Sequence, residues 1–105
     1  MSVAILFDNP VPGDGRNYIS VAAQGTYCKV WLPMAATMNL VWLPLFETGI
    51  PVLPADIPEV IMEFLVAAEF FNSAGHISLE ERARGAALAL ERSLLGFPDG
   101  EVFIG

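Results

Sequence analysis

Charge is scarce in this chain. Only 16% of its 105 residues are Asp, Glu, Lys or Arg, against about 25% in an ordinary soluble domain. What charge there is has mostly one sign, with twelve carboxylates facing five basic side chains for a net charge of −7. A nucleic-acid backbone is held by clustered Lys and Arg that displace counterions. The one basic cluster here, Arg82, Arg84 and Arg92, is offset by Glu80, Glu81 and Glu91, so direct nucleic-acid binding is not expected. A negative surface favours a protein partner with a basic face.

Cysteine and histidine are almost absent, with one of each. A single Cys28 rules out an internal disulfide and, set among apolar residues, reads as a buried, inert thiol. A single His76, with no second ligand-type residue spaced around it, supports neither a metal site nor a catalytic triad. No cofactor or metal is expected. The first residues, MSVAILFDNP, lack a basic leader, and the apolar stretch Val3 to Phe7 is too short for a secretion signal, so the cytoplasm is the expected location.

Apolar residues are plentiful, at 54% of the chain. A single domain spanning 1–105 buries roughly two-thirds of its unfolded surface, and this composition exceeds what a monomer of that size hides, which points to a homodimer. The longest uncharged run lies between Lys29 and Glu47, seventeen residues in which Val-Trp-Leu-Pro occurs twice, at 30–33 and 41–44. Seventeen is the lower limit for a bilayer span. Pro33 and Pro44 each follow residues of high strand propensity, so the run is expected to form two strands rather than to enter a membrane.

Turn formers punctuate the remainder. Strands are expected at Val3 to Phe7, Asn17 to Ala23, Thr26 to Leu32 and Asn39 to Phe46, with the second and third joined as a hairpin through Gln24-Gly25. Pro12-Gly13-Asp14-Gly15-Arg16 reads as a surface loop, ligand contact being its functional reading; it lacks the glycines and lysine of a phosphate-binding loop. Pro44, Pro51, Pro54 and Pro58 make 44–58 an extended crossing segment. Asp56 with Glu59, and Ser78 with Glu81, resemble capping boxes that open helices running to Phe71 and Leu95. Glu101 to Ile104 is expected to add a last strand. The predicted fold is α+β, a mostly antiparallel sheet of four to five strands with a C-terminal helical hairpin packed on one face.

The first of these helices carries the candidate site. At 100° per residue, Asp56, Glu59, Glu63 and Glu69 share one arc, while Ile57, Ile61, Phe64, Ala68 and Phe71 face the opposite side and the core. Met62, Val66 and Phe70, spaced by four, fall inside the acidic arc, and large apolar side chains bordered by acids suit protein docking. On the second helix, Leu79, Ala83, Ala86, Ala87, Leu90 and Leu94 form a core face, with Gly85 expected to allow close packing.

No motif specifies a reaction. The leading expectation is a small acidic non-enzymatic interaction module, with the physical profile of inhibitors, immunity proteins or adaptors, binding through Glu59, Met62, Glu63, Val66, Glu69 and Phe70. The alternative is a small-molecule-binding domain or small enzyme, with an apolar pocket lined by Tyr27, Trp31, Trp42 and Phe64 and polar groups from Cys28 or His76.

Overall fold

Alternating side chains set the sheet. In the computed structural model, which describes residues 2–105, β1 (Ser2–Phe7) pairs antiparallel with β2 (Tyr18–Ala23), Ile5 lying opposite Ile19. Val3, Ile5 and Phe7 are buried and Leu6 is exposed, the period of two that a half-buried strand requires, broken at Ala4, which is also buried where the register shifts between Val3 and Ala4. β3 (Ile50–Val52) and β4 (Val102–Ile104) complete an antiparallel sheet of order β2-β1-β4-β3. The last strand thus sits in the sheet interior, where Ile104 pairs with both Ile5 and Ile50. The outer face carries an apolar row of register neighbours, Tyr18, Leu6, Phe103 and Pro51, one from each strand and all exposed.

Gly49 enters β3 at a φ of +92°, and a Cβ built there would lie 2.7 Å from Cζ of Phe103. A side chain would meet both a left-handed backbone and an aromatic ring. Gly49→Ala is expected to lower the unfolding free energy by about 1–2 kcal/mol from the backbone conformation alone, readable as a lower urea midpoint at unchanged slope.

Two expected strands are helical. Residues 24–37 form one continuous helical run, α1, made of Gln24–Thr26, a wide π-type turn at Tyr27–Trp31 and Leu32–Thr37. No hairpin forms at Gln24-Gly25. Tyr27, Trp31, Met34 and Ala35 are its buried residues, a helical spacing whose burial outweighs the strand propensity of the Tyr-Cys-Lys-Val-Trp sequence. Pro33 lacks an N–H and would crowd the carbonyl four residues back in a regular helix. The wide turn directly before it, where the Leu32 N–H donates to the Tyr27 carbonyl, gives the ring room. Asn39, at φ +56°, closes α1, with its own N–H and that of Leu40 donating to the carbonyls of Ala36 and Ala35, the paired bonds of a left-handed helix end. Of the second Val-Trp-Leu-Pro, Trp42, Leu43 and Pro44 lie in a short helix, α2 (Trp42–Leu45), with Val41 at its N-cap.

The helical hairpin is present, as α3 (Ile57–Ser73) and α4 (Ile77–Gly96), which pack on one another. Neither expected capping box forms: Asp56 makes no side-chain cap bond, and His76, not Ser78, occupies the N-cap of α4. Glu80 instead accepts from Asn72 Nδ2 and Arg84 Nε at 2.9 Å each, bonds that hold its carboxyl below the usual range. Ala83, Ala86, Ala87 and Leu90 are buried on α4 as expected. Gly85 is not part of that packing; it is exposed, and a Cβ there would meet nothing within 4 Å.

A candidate interaction surface and an arginine-lined cleft

The inward face of α3 buries Ile57, Val60, Phe64, Ala67, Ala68 and Phe71. Its spacing turns Met62, Val66 and Phe70 outward. Met62 is 64% exposed, and Val66 and Phe70 are half-buried, Phe70 lying edge-on to Phe71. Together with Leu65 and with Met38 from the end of α1, these side chains line a shallow, open depression of about 500 Å³ bordered by Glu69 and Ser73. The spacing on the helix identifies the ridge; Met38 joins it only through the tertiary fold.

The acids around the ridge have partners within the chain. Glu59 Oε2 accepts from Trp42 Nε1 at 3.1 Å, and Arg84 Nη2 reaches Glu69 Oε1 at 3.1 Å. Half-buried Glu63 accepts from the backbone N–H groups of Val41, Trp42 and Leu43 at 2.9–3.0 Å. These are the unsatisfied donors at the start of α2, so Glu63 ties α2 to α3 as a cap supplied from another helix.

The residues expected to line a pocket lie in different settings. Tyr27, Trp31 and Phe64 are fully buried, with Trp31 stacked on Tyr27 at 5.7 Å and edge-on to Phe64 and Phe71 at 6.2 and 5.0 Å. Contacts at these separations are those of a packed core. Burial pushes the Tyr27 hydroxyl far up from its ordinary value, with the carboxylates of Glu63 and Glu47 adding to the shift; its O–H donates to the Leu43 carbonyl. Trp42 is half-buried over α3 and Cys28, rather than buried, is half-buried, its Sγ donating to Glu47 Oε2 at 3.3 Å. His76 is exposed at the turn between α3 and α4, edge-on to Phe71 at 6.4 Å. Among the described residues, no group of three or more His, Cys, Asp or Glu could hold a metal ion, and no helix is long and apolar enough to cross a membrane.

A second concavity, about 610 Å³, lies between the edge strand β2, the loop at 11–16 and α4. Arg16, Arg82 and Arg92 line it together with Asp14 and Glu81. Asp14 takes Arg16 in a two-pronged grip, Nε to Oδ1 at 2.6 Å and Nη2 to Oδ2 at 2.8 Å. Those hydrogen bonds hold the Asp14 carboxyl at about 2, so the grip persists through the physiological range and loosens only as pH falls through that value. Arg82 Nη1 donates to the Ser20 carbonyl at 3.1 Å. In the sequence Arg82 and Arg92 stand among glutamates; the fold brings Arg16 to them across β2.

The chain matches no protein-family model, and comparisons with curated proteins and with solved structures give no match.

Proposed function

We propose that this protein is a non-enzymatic protein-interaction module that associates through the Met62, Val66 and Phe70 ridge of α3, with a second copy of itself as the partner. The observation that carries the reading is the depression at that ridge: five apolar side chains, Met38, Met62, Leu65, Val66 and Phe70, meet on one surface with Glu69 and Ser73 as the only polar members. An apolar patch of this kind on an acidic protein is an association surface. Because Glu59, Glu63 and Glu69 already have partners in the chain, apolar contact rather than a basic counter-surface supplies the attraction. Val66 stands midway between Met62 and Phe70, so a two-fold axis at Val66 sets Met62 of one copy against Phe70 of the other, as a self-complementary interface requires.

Met62→Asp tests this. The side chain is mostly exposed, so the folded monomer should lose no more than about 0.5 kcal/mol, while two carboxylates brought to the interface oppose pairing. Sedimentation equilibrium should give a dimer for the native chain and a monomer for Met62→Asp. A native chain that is monomeric at all concentrations, or a variant that still dimerises, overturns the reading.

A further inference from the structure

We propose that the cleft between β2 and α4 is a binding site for a small organic oxyanion, a molecule carrying a phosphate or carboxylate group on an apolar body. Three of the chain's five basic residues line this one cleft. With Asp14 and Glu81 counted against them the cleft has a net charge of +1 in a molecule of net charge −7. That local reversal of sign gathers small anions where the rest of the surface repels them.

Arginine is the residue suited to this task, because its planar fork donates two parallel bonds to a carboxylate or phosphate. Two of the three guanidiniums have that capacity in hand. Among the described residues Arg92 makes no ion pair within 4 Å, its charge reaching the Asp14 carboxylate only from a distance, and Arg82 bonds only to a backbone carbonyl. Arg16, by contrast, is gripped by Asp14 and serves as a fixed wall.

The floor of the cleft is built from the helix itself. Arg82, Gly85, Ala89 and Arg92 follow one another at spacings of three, four and three, a single line along α4 about 15 Å long. The small residues at its centre leave open the space between the two arginines, and Leu88, 47% exposed, adds an apolar wall. A volume near 610 Å³ is that of a small-molecule site. The proposal is independent of the α3 ridge and shares no residue with it.

Phenyl phosphate and benzoate are the probes, since they present the two anionic groups on the same apolar ring; each is titrated into the full chain by calorimetry. At least one should bind saturably, and the tighter of the two assigns the group as phosphate or carboxylate. Arg92→Gln removes a fork, and Gly85→Leu fills the floor from a position whose Cβ meets nothing. Each variant should weaken binding by roughly tenfold or more, with the thermal midpoint of Gly85→Leu held or raised because glycine is a poor helix former. Failure of both probes to saturate in the millimolar range overturns the proposal. So does binding that Arg92→Gln leaves unchanged, an arm that stands whether or not Gly85→Leu folds.

Discussion

Replacing Trp31 by alanine is expected to lower the free energy of unfolding by about 3–5 kcal/mol, enough to leave a domain of this size close to unfolding at 37 °C. Trp31 is fully buried and touches Tyr27, Phe64 and Phe71, so its ring joins α1 to α3. Truncation removes the transfer free energy of a large side chain and leaves a cavity walled by rings that cannot all collapse into it. Trp31→Phe should cost much less than the lost volume suggests. The Trp31 Nε1 is buried with no hydrogen-bond partner, a donor whose desolvation destabilises the fold by about 1–3 kcal/mol and which phenylalanine removes. Urea denaturation of the two variants separates the contributions; a Trp31→Phe loss as large as its share of the removed volume would show that the orphaned donor has no energetic weight.

The second large effect is expected at Glu63. Glu63→Ala should lower stability by about 2–3 kcal/mol, since the carboxylate's hydrogen bonds to the N–H groups of Val41, Trp42 and Leu43 are charge-assisted. Glu63→Gln keeps one acceptor oxygen and should lose about 1 kcal/mol. Hydrogen exchange reads the same interaction locally: amide protection at Val41, Trp42 and Leu43 should fall first in Glu63→Gln. Glu59→Gln is the internal control, because Glu59 is exposed and makes one side-chain contact; its effect should stay within about 0.5 kcal/mol. If Glu59→Gln and Glu63→Ala are equally mild, the cap contributes little to holding α2 on α3.

How much of this was legible in the sequence depends on whether the deciding contacts were local. α3 and α4 are legible because their punctuation is written in adjacent residues, Ile57-Pro58 opening α3, Gly75 just beyond its end, and Gly96 as the last residue of α4 with Pro98 beyond it. β1, β2 and β4 were legible from short apolar runs between turn formers. In 26–32 and 39–46 aromatic and β-branched residues carry strand propensity, whereas the first stretch follows the burial of Tyr27, Trp31, Met34 and Ala35 and the second turns into a short helix that buries Leu43. The first spacing is helical and stands in the sequence; Pro33 concealed it, since the wide turn that accommodates a proline has no local signature. β3 was hidden among prolines, being only three residues long and paired at the sheet edge through β4.

The candidate surfaces divide along the same line. The ridge of Met62, Val66 and Phe70 follows from helical geometry alone. Glu63, in the same acidic arc, gave no sign of its role, because its partners lie some twenty residues earlier in the chain. Arg16 likewise became part of a cationic cleft only once β2 had brought its loop beside α4.

The central claim, association of two copies through α3, is tested most directly by following backbone amide NMR signals of the ¹⁵N-labelled chain through a dilution series. Concentration-dependent shifts should cluster at Met62, Leu65, Val66 and Phe70 and extend to Met38, and vanish in Met62→Asp. Signals unmoved by dilution, or shifts confined to the outer sheet face at Leu6, Tyr18 and Phe103, would contradict it.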